Sequence, residues 1–387
     1  MKSIFKYIIM FFLFVYVIVP IFFYMKFGFF FTTVNHEVEV KYFFLAAEVI
    51  IIYCLIAMLL LRFLPTGKKK IEMPYKYPLW LLCFPLLLSF YKFSFGFMGN
   101  IPLVVRYFSQ FMNPILLFFV ISFYYFQKKY IKRLTLCIVI FLSISLLNFS
   151  RSGIFTLFFI LGSFYFYNQK TGKYLIKKMF PLLLIAIIGA PVLYVVSSNN
   201  RYHEKRGMDG YILRQIVGRL SILEPAAGII KSVKEDKKSN NLFLEKYGFS
   251  NQIKLALNTL SPLDFFEDDV ASNQYYRMIV NNVSLSETKN NYVSIFISLP
   301  VYFYLKYGFV FGLLFFSSLL SILFVIFIYG KNSLFKFSIG VFSFYFLLVF
   351  FDWIDVFDLI TKWIIFSFFL HIFLDNKKLF IYCRNKK

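Results

Sequence analysis

Apolar runs of about twenty residues recur along this chain from Lys2 onward, and one polar stretch, Ser197 to Asn291, interrupts them. A run of that length predicts a helix crossing a bilayer, because in lipid each segment must satisfy its own backbone hydrogen bonds. The pattern predicts about ten such helices, over 4–24, 42–64, 79–95, 108–126, 134–150, 153–167, 180–197, 307–329, 337–351 and 359–374. The polar stretch, roughly 95 residues, is too long for a simple connection and is where chemistry is expected. Three regions follow: 1–197 with seven membrane helices, 198–306 as a large external loop, and 307–387 with three helices and a basic tail. Tyr292 to Leu305 is apolar but shorter than a span, and reads as a helix lying at the outer surface, with Pro300 marking an interruption. Lys231 to Asn241 mixes charges with almost no apolar content and reads as a mobile, solvated excursion.

Composition agrees with the pattern. Of 387 residues, 60% are hydrophobic and 23% aromatic, and the mean hydropathy is +0.70. The fold class is all-α, a polytopic helical integral membrane protein with one large extracytoplasmic loop. The 57 Phe read as lipid-facing bulk. The net charge of +23 would point to nucleic acid in a soluble protein. Here the cations sit in short loops: Lys68 to Lys70 with Lys76, Lys128 to Arg133, Lys170 to Lys178, and Lys377 to Lys387. Short basic loops stay in the cytoplasm, so the charge records topology and a nucleic-acid partner is excluded. Both termini are then cytoplasmic and the large loop external. The apolar run from Ile8 to Phe23 lacks the short core and small-residue cleavage site of a signal peptide, and reads as the first span. None of Cys54, Cys83, Cys137 and Cys383 lies in the loop, so no disulfide framework is implied there.

Two groups of cations could carry chemistry. Arg151, within Asn148-Phe149-Ser150-Arg151-Ser152-Gly153, falls at the outer turn between the fifth and sixth spans. A guanidinium, two hydroxyls and a glycine turn at a helix start make a compact anion site, although an arginine at a helix end also snorkels to headgroups. Arg201, His203, Lys205, Arg206, Arg214 and Arg219 open the external loop, followed by Glu224. Two arginines hold a diphosphate bidentately and stabilise its departure without a metal. The bland counterpart is a loop face touching anionic lipid. Glu37 and Glu39, or Asp352, Asp355 and Asp358, could hold a divalent cation, but acidic residues are ordinary at outer turns. Three scattered histidines, His36, His203 and His371, make a poor metal set, so no metal and no cofactor are expected.

Three stretches resemble the O-antigen polymerase and ligase superfamily. Ser150-Arg151-Ser152-Gly153 is similar to its Ser-Arg-small motif, and Gly218-Arg219-Leu220-Ser221-Ile222 to its Gly-Arg-Leu stretch. Asn291-Tyr292, then Tyr307-Gly308 and Gly312, are similar to its closing segment, where a surface helix turns through Tyr-Gly into the next span. The resemblance covers 150–312. It implies a GT-C-like glycosyltransferase of the bacterial inner membrane, working on its external, periplasmic face on sugar chains linked through diphosphate to undecaprenol. The polymerase transfers the growing chain, with inversion, onto the next repeat unit of an O-antigen or capsular polysaccharide, and takes a chain-length regulator as partner. The ligase transfers the finished chain to lipid A-core. Arg151 and Arg219 carry over as diphosphate contacts, with Arg201, Arg206 and Arg214 beside them, while Asn291, Tyr292 and Arg277 are further loop candidates. Ligases place a histidine where Asn290 stands here, and an amide takes no proton at a useful pKa, which favours the polymerase. Glu224 is then the first candidate for the base and His203 the second. A flippase, the reading from another class, needs charged residues facing a cavity inside the spans, and these spans are almost free of Asp and Glu.

Overall fold

The computed structural model describes residues 2–28, 38–63, 71, 78–95, 113–148, 153–175, 177–181, 184, 217, 221–247, 251, 253–254, 278–280, 284, 297–328, 334–350, 356–357 and 359–365. The described residues are almost all helical, with no strand among them. The helices are α1 (Lys2–Phe27), α2 (Val40–Phe63), α3 (Cys83–Phe95, after a 3₁₀ turn at Leu79–Leu82), α4 (Pro114–Gln127), α5 (Ile131–Leu147), α6 (Gly153–Tyr167), α7 (Leu223–Glu235), α8 (Lys237–Lys246), α9 (Leu299–Ile328) and α10 (Leu334–Phe350). Three stretches, Lys2–Phe27, Val40–Phe63 and Leu299–Ile326, are long and apolar enough to cross a membrane. Expected spans at 79–95, 108–126, 134–150, 153–167 and 337–351 coincide with shorter helices, and 359–365 is helical, whereas most of 180–197 lies outside the described residues.

The chain divides into two compact units, each drawn from separated segments. In the first (Met1–Lys68, Met208–Gly330, Gly340–Asp358), α1 and α2 are antiparallel: Lys2 Nζ donates to the Arg62 carbonyl at 2.8 Å, satisfying a last-turn acceptor. At that end Phe5 packs on Phe324 of α9 (5.1 Å between ring centroids) and on Phe344 of α10 (4.9 Å). Within α1, Leu13–Ile18 takes π-helical form. Pro20 explains it, because its ring clashes with the Tyr16 carbonyl four residues back and it has no N–H to donate. The widened turn brings the Tyr16 hydroxyl to that of Tyr345.

The second unit (Lys69–Gly207, Lys331–Ile339, Leu359–Lys387) is built around α4, whose side chains from Leu116 to Phe126 are all buried. Asn113 caps it, its Oδ1 accepting from the N–H of Ile115 at 2.9 Å and of Leu116 at 3.3 Å, and Pro114 supplies the first helical residue. Phe118 stacks on Phe141 of α5 at 4.3 Å, and Phe123 meets Phe164 at 5.1 Å and Phe337 at 4.8 Å. Asn148, ending α5, donates from Nδ2 to Ser89 Oγ of α3 at 2.8 Å.

In α9 the break falls at Gly308 (φ 75°, ψ −176°), not at Pro300, which occupies the first turn where its missing N–H costs nothing. The bend is sharp enough to bring Phe303 of the first arm to Phe316 of the second, at 6.4 Å. Tyr53 of α2, fully buried, donates its hydroxyl to the Phe309 carbonyl at 2.9 Å. At Gly312 a Cβ would stand 2.6 Å from both the Phe303 carbonyl oxygen and Tyr53 Oη. Gly312→Ala should therefore lower the thermal midpoint in detergent micelles, and so should Tyr53→Phe, which costs about 1–3 kcal/mol of stability through the stranded acceptor. Leu314→Ala, on a side chain 57% exposed, should leave the midpoint unmoved, and equal midpoints for all three would remove the lock.

Candidate functional site

The candidate site in the first unit grows from two helices that open the loop region. α7 begins with Leu223-Glu224-Pro225-Ala226-Ala227-Gly228-Ile229-Ile230, all buried, and lies along α2. Small residues on both helices, Ala226 and Ala227 on α7 and Ala46 and Ala47 on α2, permit close backbone approach. The C-terminal end of α7 meets the start of α2: Tyr42 Oη donates to Glu235 Oε1 at 2.8 Å, and Lys231 Nζ pairs with Glu39 at 3.1 Å. Glu39 is also held by Lys41 at 2.7 Å. α8 follows at once, capped by Asp236, whose carboxylate accepts from the Ser239 N–H at 2.8 Å and its hydroxyl at 2.6 Å. The stretch Lys231 to Asn241 is thus ordered helix and not a loose excursion. Local capping and the buried Ile229, Ile230 and Val233 outweigh its polar composition.

Beside this pair stands the first arm of α9, with Leu299, Val301 and Tyr302 buried. Lys234 donates to Tyr304 Oη at 2.7 Å, and Lys306 to Tyr302 Oη at 3.1 Å while lying over the Tyr307 ring. Alternating lysine and tyrosine is the composition of a membrane–water boundary.

Of the residues expected to bind diphosphate or activate the acceptor, Glu224 alone lies among the described residues. It occupies the first turn of α7, where the helix dipole favours negative charge, and its side chain is completely buried. A sugar in solution does not reach it in this conformation. Arg151, Arg201, His203, Arg206, Arg214, Arg219, Arg277, Asn291 and Tyr292 lie outside the described residues. So do Glu37, Asp352, Asp355 and Asp358, and Glu39 is committed to two lysines. Among the described residues no group of three or more His, Cys, Asp or Glu is placed to hold a metal ion. The edges of the Arg151 motif are in place: Asn148 closes α5 and Gly153 opens α6. No protein-family model, curated protein or solved structure matches the chain.

The Glu39 carboxyl is held below its usual range by the hydrogen bond from Lys41 and then that from Lys231, and Asp236 by the Ser239 hydroxyl and then by backbone N–H groups. Groups with depressed folded values stabilise fully above their unfolded values, about pH 4, and lose that contribution as pH falls through the lower folded ones. A spin label at the exposed Asn241 should keep constant mobility from about pH 8 to 5 and loosen below about pH 4. Unchanged spectra down to about pH 2.5 would show that these carboxylates do not hold α8 in place.

Proposed function

We propose that this protein polymerises undecaprenyl-diphosphate-linked oligosaccharide repeat units on the external face of a bacterial inner membrane, as an inverting glycosyltransferase that needs no metal. The observation that carries the reading is the order of the three family-like stretches on a helical chain, together with the break at Gly308, where the Tyr-Gly turn is expected. Arg151 and Arg219 clamp the diphosphate of the donor, so its departure needs no general acid. Arg201, Arg206 and Arg214 add positive potential around it, with Arg277, Asn291 and Tyr292 further along the same loop. A carboxylate or imidazole deprotonates the acceptor hydroxyl, Glu224 and His203 being the loop's own candidates. The commitment of Glu39 to Lys41 and Lys231 weighs against a metal-dependent reading through Glu37 and Glu39.

In a strain deleted for the gene, surface polysaccharide should stop at a single repeat unit, and the wild-type protein should restore the ladder. Arg151→Ala and Arg219→Ala should fail to restore it at equal protein level, and Arg151→Lys should also be poor because a point charge cannot reproduce the fork. Loss of every repeat in the deletion strain would indicate a ligase or flippase instead. Long chains made by both alanine variants would remove the clamp.

A further inference from the structure

No aspartate or glutamate stands between Glu72 and Glu204, yet that stretch carries two basic runs, Lys128 to Arg133 and Lys170 to Lys178. Both fall at one end of the second unit. α4 and α5 meet there through the turn Lys128–Tyr130, and α6 runs back to the same end, where Phe126 meets Phe164 at 5.4 Å and Phe123 meets Tyr167 at 5.1 Å. Beyond α6 the chain turns at Asn168, whose Oδ1 accepts from the Thr171 N–H at 3.2 Å, into a further helical stretch over 169–175. This stretch packs on the end of α6 through Gly172, where a Cβ would stand 2.8 Å from the Tyr165 Cα. An apolar hollow of about 300 Å³ opens here, walled by Phe126, Leu134, Phe164, Tyr165, Leu175 and Met179. Exposed cations adjoin its buried wall along the chain: Arg133 beside Leu134, Lys173 beside Gly172, and Lys178 beside Met179. The Arg133 guanidinium lies over the rings of Tyr125 and Tyr130, at 5.7 and 5.5 Å. Lys129 takes the left-handed position (φ 57°) that glycine usually fills at such a helix end. Among the described residues none of these cations has an acidic partner.

Like charges gathered without an acid repel one another, and an anion relieves that repulsion. The hollow adds a second requirement, since hydrocarbon fills it and a fully polar anion does not. We propose that this end of the second unit binds an anionic phospholipid, with its phosphate on Arg133 and the neighbouring lysines and an acyl chain entering the hollow. Basic pockets between membrane helices suit phospholipid head groups. The arginine fork matches two phosphate oxygens, and the tyrosine rings hold it in place before the lipid arrives. The lysine stems lie along apolar surface while their ammonium groups stay at the level of the phosphates. An acidic peptide would answer the cations and leave the hollow unused.

The test uses the full-length protein, stripped of lipid in a mild detergent and titrated with dioleoylphosphatidylglycerol or dioleoylphosphatidylcholine, with bound lipid counted by native mass spectrometry. Wild type should retain the anionic lipid in preference to the zwitterionic one. Each cation removed should weaken that binding roughly fivefold, so Arg133→Gln with Lys173→Gln should cost about 25-fold. Lys237→Gln with Lys238→Gln, exposed on α8 of the first unit, should leave it unchanged. Leu175→Trp, which fills the hollow, should also weaken it. Competition on the wild-type protein probes the hollow without any substitution: glycerophosphoglycerol, the same headgroup without chains, and inorganic phosphate should both fail to displace the lipid. Equal retention of the two lipids, or equal losses in the two double variants, overturns the proposal. So does displacement by inorganic phosphate, by glycerophosphoglycerol or by a hexaglutamate peptide, since each would show an anion site that makes no use of the hollow.

Discussion

A break in a helix frees backbone carbonyl and N–H groups, and in an apolar layer each must find a partner inside the protein. Two breaks in the first unit meet that demand differently. In α1 the helix absorbs Pro20 by widening to π form over Leu13–Ile18, so the Val19 N–H reaches back to Phe14 instead of Tyr16's neighbour in an α turn. At Gly308 the bend is too sharp for such a local remedy, and a second helix supplies the donor through the Tyr53 hydroxyl. The lock works because Gly312 has no side chain: the Phe303 carbonyl and Tyr53 hydroxyl occupy the space a Cβ would need. The direction of the first arm of α9 relative to the second is therefore set at that bend.

The start of the polar stretch that precedes α9 is anchored by a different kind of contact. α7 buries an apolar, small-residue surface along α2, and its last turn is tied by one phenol–carboxylate bond and one ion pair. Exposed ion pairs contribute little, so the packed surface, not Glu39, supplies most of the hold, and Glu39 sets the register of the last turn.

Much of this is legible in the sequence. Uniformly apolar runs announce α1, α2 and the second arm of α9, because lipid or a dry bundle interior is the only medium that tolerates them. Tyr307-Gly308 announces the bend, since glycine accepts a positive φ without steric cost. Lys231 to Asn241 misleads, because composition reports charge but not that Asp236 and Ser239 are spaced to start a helix. Pro300 misleads for a related reason: proline interrupts a helix only away from its first turn. The burial of Glu224 is invisible along the chain, since it depends on α7 lying along a helix some 160 residues away in sequence.

Glu224 and Glu48 show why the fold, and not residue type, decides whether a carboxylate is enclosed or exposed. Glu224 belongs to a polar loop by sequence, yet packing in the first turn of α7 takes it out of reach. Glu48 belongs to a membrane helix by sequence, yet it faces outward. The two ends of α2 differ in the same way. At one, Lys2, Lys6 and Arg62 stand without an acidic residue in the adjoining helical turns; at the other, Lys41, Lys231 and Lys234 are interleaved with Glu39, Glu235 and Asp236. The unbalanced end is the one the positive-inside rule assigns to the cytoplasm. At the balanced end the charges serve packing: Glu39 and Glu235 tie the last turn of α7 to the start of α2 through Lys231 and Tyr42.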